Sequence, residues 1–118
     1  MTREEILEYV KNKYGTNPEY LWLKHPGFAV LRNMNGKWYG IIMNVPADKL
    51  GLSGTDDIDI INVKCDPVMV SSLRLRDGYL PAYHMNKENW ISIIINNQIS
   101  ADEIKNLVDM SYELITVK

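Results

Sequence analysis

The residues best suited to chemistry lie together in the segment from Pro81 to Trp90, which reads Pro-Ala-Tyr-His-Met-Asn-Lys-Glu-Asn-Trp. It combines two large aromatic side chains with an imidazole, two amides and an ammonium group. Aromatic rings can stack on bases, and a lysine can pair with a phosphate. Because the apolar run from Ile91 to Ile95 follows directly, we expect a loop held at the start of a core strand. The sequence therefore predicts a binding surface at this loop.

A histidine in such a loop could act as a general base or a metal ligand. No serine, cysteine or carboxylate lies at a spacing that indicates a partner for His84, and the other histidine, His25, is 59 positions away. We therefore interpret His84 as a loop residue that hydrogen-bonds to backbone, and we predict a non-enzymatic protein with no catalytic residue, metal or cofactor. An enzyme or small-ligand site that uses His84 and Asn86 stays open as a third alternative.

Cys65 is the only cysteine, so it forms no internal disulfide, which suits a reducing compartment. Its place before a predicted helix would lower the pKa of its thiol and favour a nucleophile. A buried cysteine at a strand end is the simpler interpretation. The acids Asp56, Asp57 and Asp59 lack the spacing of a calcium loop, so we interpret them as a solvated turn.

Positive charge is concentrated in two stretches, although the formal net charge is −2. The stretch from Lys24 to Trp38 holds three basic residues and no acid, and the stretch from Lys64 to Lys87 holds four basic residues against two acids. With the aromatic loop, they give one candidate set for nucleic-acid or ligand binding: Lys24, Arg32, Lys37, Arg74, Arg76, Tyr83, His84, Asn86, Lys87 and Trp90. Ordinary solvated surface, and a Trp90 buried in the core, remain alternatives.

Length and composition indicate a single domain that spans residues 1–118. The longest apolar runs fall far short of the ~20 residues that a bilayer span requires, so we expect no membrane partner. The first residues, Met-Thr-Arg-Glu-Glu, are acidic where an export signal would be basic and then apolar. We therefore expect a cytoplasmic protein.

Local signals set the element order. Thr2 and Glu5 form a capping box that begins a helix over residues 3–14, and Ser100 and Glu103 form another that begins a helix ending near Ile115. Asn35-Gly36, between runs 28–34 and 37–44, predicts a hairpin with a type I′ turn. Residues 16–27 are predicted to be mainly loop with a short edge strand.

Further strands are predicted over 58–63 and 90–95, with an extended segment over 79–85. Asp66 and Pro67 suit the N-cap and first position of a middle helix that stops before Asp77-Gly78. The order is α-β-β-β-α-β-β-α. The economical packing of these elements is an α+β fold in which helices cover one face of a mainly antiparallel sheet.

Five short motifs are distributed over the whole chain. They are Lys24-His25-Pro26-Gly27-Phe28, the Asn35-Gly36-Lys37 hairpin, Lys64-Cys65-Asp66-Pro67, Pro81-x-Tyr83-His84-Met85-Asn86-Lys87-x-x-Trp90 and Asp109-x-Ser111-Tyr112-x-Leu114. With these motifs the chain resembles the MmcQ/YjbR family over essentially its whole length. The resemblance implies a small cytoplasmic bacterial protein with a compact α+β fold, similar to CyaY or to a double-wing fold, and a proposed DNA-binding role. The family often has a histidine before the tryptophan, where this chain has Asn89.

Two main hypotheses follow. In the first, the basic residues meet phosphates of DNA while Tyr83 and Asn86 make more specific contacts. In the second, the protein is an adaptor whose groove at Tyr83 to Trp90 takes a protein or peptide segment.

Overall fold

Five strands form one antiparallel sheet, and three α-helices and one short 3-10 helix connect and cover it. The computed structural model describes residues 1–96 and 98–116. The elements are α1 (Arg3–Tyr14), β1 (Ala29–Arg32), β2 (Trp38–Pro46), a 3-10 helix (Ala47–Leu50), β3 (Asp57–Lys64), α2 (Pro67–Leu73), β4 (Tyr79–Pro81), β5 (Trp90–Ile94) and α3 (Ala101–Thr116). The strand order in the sheet is β1-β2-β3-β5-β4. The predicted fold class and element order are confirmed.

The helix starts follow the capping chemistry of the sequence. Thr2 and Glu5 form the predicted reciprocal capping box of α1, and Gly15 ends that helix in the left-handed conformation. The Asp66 side chain accepts the Met69 N–H at 3.0 Å, which caps α2 as predicted.

The second capping box is only half formed. The Ser100 hydroxyl accepts the Glu103 N–H at 3.1 Å. The Glu103 carboxylate turns away and accepts hydrogen bonds from Arg76 and Tyr79 instead. The prediction of a full box was wrong because two donors, one of them a cation, compete for this carboxylate.

The hairpin of β1 and β2 is confirmed, but its predicted type I′ turn is wrong. Gly36 has a positive φ of 79°, whereas Asn35 does not, since His84 alone among the described non-glycine residues does. The Asn33 side-chain carbonyl accepts the N–H groups of Asn35 at 3.0 Å and Lys37 at 2.9 Å. This local bonding stabilises a longer loop from Asn33 to Lys37 and shortens β1.

Each face of the sheet has its own apolar core. The helix face packs against α1, α2 and α3, through sheet residues Leu31, Ile42, Ile61, Val63, Ile91 and Ile93. The opposite side, which we call the loop face, is covered by irregular segments and the 3-10 helix over Phe28, Val30, Ile41, Met43, Val45, Ile60 and Ile94. The predicted edge strand in 16–27 is reduced to one bridge, between Glu19 and Val30. No helix among the described residues is long and apolar enough to cross a membrane.

A bulge in β2 is completed by a serine from α3. Leu31 pairs with Gly40 and Arg32 with Trp38, so Tyr39 is an extra residue in β2. The buried Ser111 hydroxyl donates to the Tyr39 carbonyl at 2.7 Å and accepts the Lys64 N–H at 2.9 Å. The serine of the Asp109-x-Ser111-Tyr112 motif therefore bridges β2 and β3.

The aspartate of the same motif fastens α3 to α1. Asp109 accepts hydrogen bonds from the hydroxyls of Tyr9 at 2.7 Å and Tyr14 at 2.6 Å, and from the Lys13 ammonium at 2.8 Å. Burial alone would raise the pKa of the Asp109 carboxyl, but the hydrogen bonds from Lys13, Tyr14 and Tyr9 outweigh it and hold that pKa below its ordinary value of 3.8. The aspartate of the motif therefore holds α1 and α3 together through hydrogen bonds.

This lowered pKa predicts an acid-sensitive contribution to stability. Because the pKa of Asp109 is lower in the folded than in the unfolded protein, the contribution is complete above 3.8 and is lost as the pH falls below it. We expect Asp109→Asn to lower the free energy of unfolding at neutral pH by about 2 kcal/mol. The difference from wild type should shrink in urea titrations at progressively lower pH. Glu113→Gln, at an exposed position on the same helix, is the control. A difference for Asp109→Asn that stays constant at acidic pH would contradict this account.

Candidate functional site

The segment from Ala82 to Asn89 lies on the loop face and is fixed there by two buried polar residues. Asn62 on β3 and Ser92 on β5 are directly paired across the sheet and fully buried. The Asn62 side-chain N–H donates to the Tyr83 carbonyl at 2.9 Å, and the Tyr83 N–H donates to the Ser92 hydroxyl at 3.0 Å. The Ser92 hydroxyl donates in turn to Asn62 Oδ1. Both backbone groups of Tyr83 are therefore held, and we call residues 82–89 the pinned loop.

The rest of the pinned loop is ordered by its own backbone bonds. The Asn86 side chain accepts the Glu88 N–H at 2.8 Å, and the Asn86 carbonyl accepts the Trp90 N–H at 3.0 Å. The Asn89 carbonyl accepts the Cys65 N–H at 2.8 Å. This contact uses only backbone atoms of Asn89, so it does not depend on the histidine that the family often has there.

His84 is the one described non-glycine residue with a positive φ, at 58°. Its imidazole is exposed, and its ring lies 4.0 Å from the ring of Tyr83 between centroids, at 60°. Histidine tolerates this backbone region better than most residues do, yet the conformation still costs energy. The fixed backbone of Tyr83 holds the His84 side chain above the loop face.

A cleft of about 330 Å³ opens between the pinned loop and the 3-10 helix. Lys49 and Leu50 of the 3-10 helix form one side, and Tyr83, His84 and Lys87 of the loop form the other. Two cations from separate segments therefore flank two aromatic rings.

A second group of aromatic side chains covers the β1 end of the loop face. Trp22 packs edge-on against Phe28 and Trp38, with ring centroids 5.7 and 6.1 Å apart, and His25 stacks on Phe28 at 4.5 Å. The Arg32 guanidinium lies 5.7 Å from the Trp38 ring centroid. These rings pack mainly on one another and support the loop that carries Lys24.

The structure divides the predicted basic residues into two groups. Lys24 and Lys37 are exposed near the β1 end, and Arg32 pairs with Glu19 at 3.1 Å. Lys87 is exposed in the pinned loop. Arg32 lies over the Trp38 ring on the loop face, and Lys24 and Lys87 are in loops next to that face. Lys37 is in the turn of the β1–β2 hairpin.

Arg74 and Arg76 follow α2 and lie elsewhere. Arg76 pairs with Glu103 of α3 at 2.9 Å and lies 5.3 Å from the ring centroid of Tyr79, which belongs to the helix-face core. The pinned loop packs on the opposite, loop face of the sheet, so Arg76 lies on the other side from it. Arg74 is exposed at the end of α2.

Trp90 begins β5 and pairs with Lys64. Its side chain is half-buried and belongs to neither apolar core. Tyr83 and Met85, by contrast, pack against the loop-face core.

Three residues of this site were missed in the sequence. Asn62 and Ser92 fix the loop, and Lys49 completes the cleft. A polar residue within each of the runs Ile60-Ile61-Asn62-Val63 and Ile91-Ser92-Ile93 was the available signal, since a buried polar group in a strand needs a partner. For Lys49, one lysine in a polar loop gave no signal.

In residues 1–96 and 98–116, no side chain forms a hydrogen bond with the His84 imidazole, and no three histidines, cysteines or carboxylates are grouped as metal ligands.

Cys65 is a buried structural residue, as the simpler interpretation held. Burial raises the pKa of its thiol from the ordinary 9.0 to about 11, with a smaller contribution from Asp66. The expected lowering of this pKa by the following helix was wrong because desolvation of the thiolate dominates.

We therefore expect the thiol of Cys65 to react with iodoacetamide about 100-fold more slowly, or slower still, in the native than in the urea-unfolded protein, since each pKa unit removes tenfold of the thiolate. Mass spectrometry of the alkylated chain measures this directly, because there is one cysteine. Equal rates in both states would show an accessible, reactive thiol.

Sequence comparisons find similar proteins in Bacillus subtilis and Escherichia coli. Residues 11–114 match the YjbR family model. The chain is 50% identical over 115 residues to the uncharacterized protein YyaQ of Bacillus subtilis (strain 168), covering 97% of this chain and 98% of YyaQ. It is 32% identical over 59 residues to the uncharacterized protein YbdF of Escherichia coli O157:H7, covering 49% and 48% of the two chains.

Solved structures agree in architecture. A crystal structure of a protein from Pseudomonas syringae matches with a TM-score of 0.93 and 43% identity, covering 97% of this chain and 98% of that one. Deinococcus radiodurans protein DR2400 matches with a TM-score of 0.77 at 17% identity, covering 99% of this chain and 80% of that one, which shows a shared fold alone.

Proposed function

This chain belongs to the YjbR family, and we propose that it is a non-enzymatic binding protein whose loop face contacts DNA. The observation that carries the proposal is the pinned loop, in which buried Asn62 and Ser92 hold both backbone groups of Tyr83. A buried polar pair in the middle of a sheet is costly unless its hydrogen bonds are satisfied, and here the backbone of Tyr83 satisfies them. Here it fixes a loop that presents an aromatic, an imidazole and a lysine to solvent.

The charges near the loop support a polyanionic ligand. Lys24, Lys37 and Lys87 are exposed and form no ion pair among the described residues. Lys24 and Lys87 lie in loops whose aromatic side chains pack on the loop face, and Lys37 lies in the turn of the β1–β2 hairpin. Phosphate contacts by such lysines would position the duplex, while Tyr83 and Asn86 would make the more specific contacts with the DNA.

The test is fluorescence anisotropy with random double-stranded DNA at two salt concentrations. We expect binding that weakens steeply with salt, since each neutralised phosphate contributes roughly −0.9 to the log-log slope. Lys24→Ala/Lys37→Ala should weaken binding and reduce that slope by about 2.

The matched control removes two lysines from the helix side, as Lys11→Ala/Lys105→Ala. Both double variants have the same net charge, so only the position of the charges differs. Equal losses in the two variants, or affinity indifferent to salt, would contradict binding at the loop face. A loss on Arg74→Ala would extend the surface to the end of α2.

An adaptor function is the second candidate, and exposed apolar residues favour it. Leu23 is 100% and Met34 93% exposed, and Tyr20 and Leu21 are also exposed near edge strand β1. Exposed apolar side chains grouped near an edge strand suit a bound peptide segment. In that case a captured partner would be lost on Leu23→Asp, retained at high salt, and unaffected by Lys37→Ala.

A further inference from the structure

The cleft between the pinned loop and the 3-10 helix has the chemistry of a small-ligand site. We infer that it binds a nucleoside monophosphate, a molecule that joins a flat ring to a phosphate. Its volume of about 330 Å³ lies at the lower end of the range for small-molecule sites. The inference goes beyond the proposed function, because it holds whether or not the loop face binds a duplex.

The anionic part of the ligand is assigned from the two lysines. Lys49 from the 3-10 helix and Lys87 from the pinned loop both line the cleft, both are exposed, and neither has an ion-pair partner among the described residues. None of the described residues that line the cleft is acidic. Two unpaired cations that line one cleft favour an anion there.

The ring is assigned from the remaining walls. The rings of Tyr83 and His84 contact each other, with centroids 4.0 Å apart at 60°, and Tyr83 also packs against the loop-face core. The exposed imidazole of His84 is therefore the ring on which a base could stack, with Tyr83 supporting it from below. Leu50, Leu80 and Pro81 add apolar surface. Bases are flat, and stacking on such side chains contributes about 1–3 kcal/mol per base.

The site is largely formed before a ligand arrives. Tyr83 is fixed through both backbone groups, and His84 is held at a φ of 58°. Left-handed backbone at a non-glycine residue persists only where the surroundings hold it, and such residues concentrate at ligand sites. Less ordering energy is then lost on binding.

The phosphate could belong to a free nucleotide or to the 5′ end of a DNA strand. The first arm of the test titrates 15N-labelled protein with adenosine 5′-monophosphate, adenosine and inorganic phosphate. We expect the monophosphate to shift the amide signals of Leu50, Ala82, His84 and Lys87 with a Kd of ~1 mM or tighter. Adenosine and inorganic phosphate, each with half of the ligand's chemistry, should bind at least several-fold more weakly.

Surface variants then test whether the monophosphate binds in the cleft. Lys49→Ala/Lys87→Ala should weaken the monophosphate about tenfold. His84→Gly removes the ring and keeps the backbone conformation, so affinity should fall while thermal stability is kept. Lys24→Ala/Lys37→Ala, outside the cleft, should leave the Kd unchanged.

No shifts at ~5 mM monophosphate, where a millimolar Kd would still give clear occupancy, would overturn the inference. Equal shifts with adenosine, or a Kd unchanged in Lys49→Ala/Lys87→Ala, would overturn it too. A second arm compares single strands with and without a 5′-phosphate. Tighter binding of the phosphorylated strand identifies a DNA end as the source, and equal binding identifies the free nucleotide. The duplex titration fails or succeeds separately, because it depends on Lys24 and Lys37.

Discussion

Replacing Asn62 with alanine is expected to lower the free energy of unfolding by about 3 kcal/mol and to release the pinned loop. The substitution removes the donor to the Tyr83 carbonyl and the acceptor of the Ser92 hydroxyl, both on the loop face. Polar groups left without partners in a buried site carry the full cost of desolvation, and the missing side chain also leaves a cavity. Urea unfolding followed by circular dichroism measures the first effect, and amide hydrogen exchange of residues 82–89 measures the second.

A double-mutant cycle distinguishes loss of this hydrogen-bond network from general destabilisation of the protein. Asn62→Ala and Ser92→Ala each break the same network, so the double variant should cost clearly less than the sum of the two. Asn44→Ala is the matched control, since Asn44 is on neighbouring β2 but half-exposed, with a single long bond to Asp57 at 3.3 Å. It should cost under ~1 kcal/mol. If Asn62→Ala destabilises the protein while the amides of the pinned loop keep their protection, another contact holds the loop.

Asn62 and Ser92 also connect the fold to both proposed ligands, DNA and the nucleoside monophosphate. Asn62 and Ser92 are buried and do not line the cleft, so they can act on a ligand only through the loop. Weaker ligand binding by Asn62→Ala at a temperature where the variant is folded would show that loop order, not only loop composition, matters.

Elements whose signals are local were predictable from the sequence. The cap at Thr2, the proline after Asp66 and the hairpin at Asn35-Gly36 each act within a few residues, and each element formed. The turn type failed because a side chain two residues earlier, Asn33, took over the backbone N–H groups. The Asn33 side chain competes with the backbone only within the loop, but whether it can do so depends on where β1 ends.

Long-range partners were not predictable in this way. The basic residues looked like one set along the chain, yet Arg76 is bound by Glu103, which is 27 positions later. Sequence proximity of Arg76 to the Pro81 segment therefore carried no spatial information. The existence of an ordered loop at 82–89 was predictable, because a proline and a core strand flank it, whereas the buried residues that hold it come from β3 and β5.

Replacing Ser111 with alanine is expected to lower the free energy of unfolding by about 2–3 kcal/mol, although it removes one oxygen atom. That oxygen bridges β2 and β3 just beyond their last direct pair, Gly40 with Val63. Without it, the carbonyl of the fully buried Tyr39 and the part-buried N–H of Lys64 both lose their partner. Alanine is the better helix former, so helix propensity alone predicts a small gain and the two explanations differ in sign.

Ser71→Ala is the control for helix propensity alone, because Ser71 is exposed on α2 and makes no side-chain hydrogen bond among the described residues. It should change stability by less than ~0.5 kcal/mol. Exchange of the Lys64 amide should accelerate in Ser111→Ala even under conditions where the rest of β3 stays protected. A stable Ser111→Ala variant with a protected Lys64 amide would mean that a water or a shift of α3 replaces the hydroxyl. In that case the serine is not what closes the bulge, and the contact of α3 with the sheet rests on its apolar residues, such as Ile104 and Val108.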